Sequence, residues 1–257
     1  MKVYIILFWL AFGSNILVAQ TDTVVAKVYH FSGSISANTN GFSLVPTFSL
    51  GKPALQTGLN FSATNSRLSF HPQVWYSLLD YKPWSLIFIW RYKVIKQDKF
   101  SFVLGTHAPA INFKSATVID NGLPNDVVKA RRFYPALELI PTYHITKSAS
   151  IGFYYLFGVG IEKEVSSVNN FLSLRADFNQ ITLSKDFFIR FQPQIYFLSI
   201  DQSTGIYAAG GLSLCKKGFP LNVSSNFNTA LKSSINADAF AWNVGVNYDF
   251  AIQLVKK

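Results

Sequence analysis

Along most of the chain, apolar and polar residues alternate with a period of two, the spacing of a strand with one face in each environment. The C-terminal segment shows it best. Phe240, Trp242, Val244, Val246, Tyr248, Phe250, Ile252 and Leu254 share one face, while Asn243, Gly245, Asn247, Asp249 and Gln253 share the other. That run is longer than most globular strands and matches a tilted membrane strand of about 9–11 residues. The pattern recurs. Leu68, Phe70, Val74 and Tyr76 oppose Ser69, His71, Gln73 and Trp75. Phe187, Ile189, Phe191, Ile195 and Phe197 oppose Arg190, Gln192, Gln194 and Tyr196.

Polar breaks at 65–66, 96–98, 146–149 and 184–186 read as tight turns, and 114–130 and 162–170 as longer linkers. Counting from Gly41 predicts about 12 strands, at roughly 42–51, 55–64, 67–79, 84–95, 99–113, 131–145, 150–161, 171–183, 187–199, 205–215, 220–232 and 238–254. An even count returns both chain ends to one rim. The tight turns then fall on the periplasmic rim and the long linkers on the other, with 114–130 as the longest outward loop. Residues 27–37 also alternate, but parity places them outside the 12. They are an N-terminal extension, a plug, or one strand of a 14-stranded barrel. The fold class is all-β: a transmembrane antiparallel up-and-down β-barrel.

Composition supports that choice over a soluble sandwich. Of 257 residues, 49% are hydrophobic and 14% charged, whereas soluble proteins carry about 25% charged. Aromatics reach 16%, as strands and interfacial girdles require. Trp84, Trp90, Trp242 and Tyr248 have lipid-facing parity, Tyr92 is a further girdle candidate, and Trp75 is the tryptophan with lumen parity. At the N-terminus Lys2 precedes an unbroken apolar run from Val3 to Phe12, followed by Gly13 and Ser14, with Ala19 at a cleavage position. This is the pattern of a secretory signal peptide. The domain reading is therefore 1–19 signal peptide, 20–40 N-terminal segment and 41–257 barrel. The expected location is the outer membrane, with its lipid and its assembly machinery as partners.

The stretches GFSLVPTFSLGKPA (Gly41 to Ala54) and KPWSLIFIWRYK (Lys82 to Lys93) resemble outer-membrane β-barrel proteins of the Bacteroidetes type, a group uncharacterised in function. The similarity runs from about Gly33 to the C-terminus. It implies fold and location and brings no functional residue. Barrels commonly end on an aromatic that serves as the assembly signal, whereas here Lys256 and Lys257 follow Phe250.

The formal charge is +10. Basic chains often bind nucleic acid, but these basic residues sit on the polar faces of strands, which excludes that partner. Arg67, Arg91, Lys93, Arg132, Arg175 and Arg190 have lumen parity, with Glu138 and Asp177, and with His71, His107 and His144. An Arg-rich lumen attracts small anions. Two readings follow: a passive channel for small solutes with anion preference, or a closed structural or surface-binding barrel whose interior charges neutralise one another. A third, distant reading is an outer-membrane lipid hydrolase, from the His30-Phe31-Ser32 spacing. No catalytic group, metal-ligand spacing or cofactor motif is assigned. The lone Cys215 excludes an intramolecular disulfide.

Overall fold

A computed structural model describes residues 28–163 and 165–255. The signal peptide lies outside the described residues. Twelve antiparallel strands close into one barrel. They are β1 (Val28–Asn38), β2 (Ala54–Ala63), β3 (Leu68–Ser77), β4 (Lys82–Lys96), β5 (Phe100–Asp120), β6 (Leu123–His144), β7 (Ala149–Gly160), β8 (Val168–Thr182), β9 (Phe187–Ile200), β10 (Ser203–Lys216), β11 (Leu221–Ser233) and β12 (Phe240–Val255). Each pairs with its sequence neighbours, and β1 closes the ring on β12 from Val28↔Val255 to Asn38↔Gly245.

The strand count agrees with the sequence, but its first member does not. Residues 28–38 form β1, while 42–51 carries only a 3-10 turn, Pro46–Phe48. Proline cannot donate to a ladder, Gly51 has φ +73°, and Pro53 follows, so the alternation of 42–51 cannot be paired. In β1 the outward residues join a ladder of exterior rings. Phe31 stacks on Phe61 at 4.6 Å and meets Phe250 edge-on at 5.1 Å, and Phe70 stacks on Trp90 at 4.3 Å.

Residues 114–130 are not the long outward loop that their composition suggests but the ends of β5 and β6. β5 and β6 stay paired to Asp120↔Leu123 and turn at Asn121 (φ 49°) and Gly122 (φ 80°), the left-handed pair of a tight hairpin. The pairing of β4 with β5 ends at Asn112, and that of β6 with β7 at Phe133. Beyond those rows the hairpin stands clear of the barrel. The longest connection is instead 39–53, between β1 and β2. It shares the hairpin's rim, opposite the Val28–Val255 end of the barrel.

Exposure follows the alternation. Phe240, Trp242, Val246 and Tyr248 are exposed, and Asn243 and Asn247 are buried on the inside. The exterior is a continuous apolar belt. Water cannot solvate so much apolar surface without large cost, whereas lipid can, and a closed barrel leaves no unpaired strand edge in the hydrocarbon. The chain is an outer-membrane barrel.

Candidate functional site: the barrel interior

At mid-height three adjacent strands are in register at Arg91 (β4), Gly105 (β5) and Glu138 (β6). Gly105 has no side chain, so the residues on either side meet across it, and a Cβ there would collide with the Glu138 carboxylate. Arg91 donates from Nε to Glu138 Oε2 at 2.7 Å and from Nη2 to Oε1 at 2.9 Å. Tyr154 on β7 donates to Oε1 at 2.6 Å, and His107 on β5 lies 2.9 Å from the same oxygen. Glu138 is 0% exposed. Its charge is compensated by a bidentate guanidinium and two further polar groups, the condition under which a buried carboxylate is tolerated.

The other proposed lumen charges divide. Arg175 lies 3.8 Å from Asp177 and over the Tyr154 ring, and Asp177 accepts from Gln192 at 3.0 Å. Arg190 on β9 reaches Asp249 on β12 at 2.8 Å, and Asn222 donates to the same carboxylate. Arg132 pairs with Glu162 at 3.0 Å near the outward rim, far from the centre. Alternation puts Asp249 on the polar face of its strand without naming it as a partner, and Glu162 lies in a connection that alternation does not reach. Arg67 donates to the Val94 carbonyl at 3.1 Å, and it and Lys93 face the periplasmic half of the interior. Among the described residues neither has a carboxylate in ion-pair reach. Lys96, which the sequence reading passed over as a turn residue, lines the same space.

That space is a chamber of about 400 Å³, lined by Arg67, Arg91, Lys93 and Lys96 with His30 and His71, and by no Asp or Glu among the described residues. His71 bonds Ser69 at 2.7 Å, and His144 bonds Ser101 at 3.1 Å. His30 and Ser32 are not on the outer wall. His30 meets Thr64, and Ser32 accepts from Asn60.

A second cavity of about 520 Å³ occupies the outward half and shares Arg91 with the first. Segment 39–53 folds into it. Tyr196 donates to the Leu44 carbonyl at 2.6 Å, and Gln56 donates to the Phe42 carbonyl at 3.0 Å. Val45 packs against a cluster of Phe171, Tyr196, Leu198 and Tyr207, in which Phe171, Tyr196 and Tyr207 stack in series at 4.7 and 4.9 Å. Trp84 departs from its predicted lipid-facing side. It is the residue skipped where the β3–β4 register shifts, and it turns inward, 7% exposed, against Trp75. A Cβ on Gly41 would come within 2.9 Å of its ring. Trp90, Tyr92, Trp242 and Tyr248 face outward as expected.

The far end of the folded-in segment is tied down outside the membrane. Lys52 Nζ meets both oxygens of Asp80, at 3.1 and 3.0 Å, and Ser77 donates to Oδ2 at 3.0 Å. The Lys52 ammonium, helped by the Ser77 hydroxyl, holds the Asp80 carboxyl below its ordinary range. A depressed carboxyl pKa contributes stability above the unfolded-state value, and that contribution is lost as pH falls through the folded value. The tether should therefore hold at pH 5 and release only in stronger acid. In single-channel records, Lys52→Gln at pH 6 should reproduce the current noise that the native chain acquires only in acid below the ordinary carboxyl range, and should add nothing there. A variant as quiet as the native chain at pH 6 removes this role.

No protein-family model and no curated protein matches the sequence. Among solved structures, the barrel is similar to the KdgM porin at TM-score 0.54 and 12% identity, over 85% of this chain and 99% of that one. It is also similar to the KdgM porin in complex with disordered oligogalacturonate, at TM-score 0.51 and 11% identity, over 86% and 99%. At such identities the likeness is one of fold, and the fold is that of an outer-membrane porin-type barrel.

Proposed function

We propose that the barrel is a passive channel for small solutes that prefers anions. The observation that carries this reading is the periplasmic-side chamber, whose lining holds four Arg and Lys side chains and no carboxylate among the described residues. Arg91 is neutralised by Glu138, so the field comes from Arg67, Lys93 and Lys96. Unpaired cations around a narrow low-dielectric passage raise the local anion concentration. Arg132, Arg175 and Arg190 contribute less, since each has its own carboxylate.

Reversal potentials in a planar bilayer under a KCl gradient test this at pH 8, where Arg and Lys stay charged. Anion selectivity is expected. It should weaken as the Debye length falls from about 10 Å at 0.1 M to about 3 Å at 1 M salt. The triple change Arg67→Gln, Lys93→Gln and Lys96→Gln should abolish most of the preference and leave the barrel folded. Cation selectivity, or a correctly folded barrel that passes no current, ends the channel reading. The β5–β6 hairpin standing clear of the rim favours the alternative, a closed barrel that works through an outward binding surface.

A further inference from the structure

Barrel lumens are ordinarily polar, but this one changes character along its length. On β4 the inward residues read Ile87 and Ile89 in the outward half, then Arg91 and Lys93 in the periplasmic half. On β9 they run from Leu198 outward to Arg190 below, and on β8 from Phe171 to Arg175 and Asp177. Segment 39–53 adds Leu44 and Val45 to the apolar end, and β7 adds Leu156. Among the described residues the one Arg or Lys that lines the outward cavity is Arg91, at its floor, and it is paired with Glu138. Its volume of about 520 Å³ lies in the range of small-molecule sites, which are mostly apolar with a few placed polar groups.

We infer that this interior binds small amphipathic carboxylates, with the apolar body among Ile87, Ile89, Leu156 and Phe171 and the carboxylate directed past Arg91 toward Lys93 and Arg67, the nearest cations of the lower chamber. Burying an apolar body here releases water from walls that bind it poorly. A sugar would have to give up hydroxyl hydration against the apolar part of these walls, and of the amides that share the lining, Gln56, Asn112, Gln192 and Gln194 are already bonded to Phe42, Ser85, Asp177 and Ser173. The assignment deepens the channel reading by naming a solute class, and rests on that reading for passage but not for binding.

Binding is measured by calorimetry on the refolded chain in phosphatidylcholine nanodiscs, with empty discs subtracted. The probes are 4-phenylbutyrate, its neutral analogue 4-phenylbutanamide, and galacturonate. Saturable binding of 4-phenylbutyrate is expected, at least about tenfold tighter than galacturonate and several-fold tighter than the amide. Lys93→Gln should narrow the gap between acid and amide. Gly158 lines the cavity, and a Cβ there meets only the Ala136 Cβ at 4.0 Å. Gly158→Phe can therefore fill the space at little backbone cost. It should abolish binding while the heat-modifiable gel mobility of the folded barrel persists. Should that variant not fold, Leu156→Asn is expected to weaken binding about tenfold by placing an amide in the apolar wall.

Galacturonate binding as tightly as phenylbutyrate overturns the inference, as does undiminished affinity in a folded Gly158→Phe or Leu156→Asn chain. The two proposals fail separately. A barrel that binds phenylbutyrate but carries no current keeps the site and loses the channel, and a conducting barrel without saturable binding does the reverse.

Discussion

Glu138→Gln is expected to lower the stability of the barrel by about 3–5 kcal/mol, the cost of stranding one member of a buried ion pair. Glu138 is fully buried and takes contacts from Arg91, His107 and Tyr154. A glutamine keeps the shape, but it turns an NH2 group toward donors and leaves the guanidinium charge uncompensated. Urea-induced unfolding followed by tryptophan fluorescence gives the difference. Changing both partners, Arg91→Met with Glu138→Leu, should recover only part of the loss. The stranded charge disappears, but His107 and Tyr154 still lack their acceptor. Gly105→Val attacks the same pair without touching either charge, because its side chain would occupy the gap through which they meet. Lys93→Gln, two residues from Arg91 but with no carboxylate in reach among the described residues, should alter selectivity and leave stability within about 0.5 kcal/mol. If Glu138→Gln unfolds at the native urea concentration, the cluster has no structural weight.

How much of this was legible in the sequence depends on the range over which each feature is set. The two faces of β12 were plain, since period-two alternation is local and lipid outside leaves little room for polar exceptions. The choice between 28–38 and 42–51 was harder because both alternate. Pro46, Pro53 and the left-handed Gly51 forbid pairing in the second, and the serines of β1 supply a consistent inner face in the first. Exchanging one for the other leaves the count even, so rim parity could not reveal the error. The β5–β6 hairpin did carry a local signal, Asn121-Gly122, whose left-handed pair suits a two-residue turn. Pairing of charges was not legible. Arg190 and Asp249 lie on strands three apart, and Arg91 reaches Glu138 only because Gly105 is in register between them. Sequence alternation tells which face a charge takes, whereas barrel closure and register decide what it meets there.

Removing the folded-in segment should have the largest effect on permeation. Replacing residues 42–50 with a short Gly-Ser linker between Gly41 and Gly51 is expected to raise single-channel conductance several-fold, because Leu44 and Val45 are withdrawn from the outward cavity. Strand pairing is untouched, so the unfolding midpoint should shift far less than for Glu138→Gln. The segment is held by a few identifiable contacts: Tyr196 to Leu44, Gln56 to Phe42, and Val45 against the aromatic cluster. Tyr196→Phe removes the hydroxyl, and with it the segment's bond at the Leu44 carbonyl and a contact to Asn228 Oδ1 in the wall, while the ring stack stays. A bond of this kind contributes about 1 kcal/mol net, enough to raise the population of an open state roughly five-fold, since each 1.4 kcal/mol is a factor of ten. The native chain should then show brief large openings, and the Tyr196→Phe chain the same amplitude with longer total open time. A linker variant with native conductance would mean that current passes the segment freely. The constriction would then lie lower, at the Arg91–Glu138 layer, where the two chambers meet.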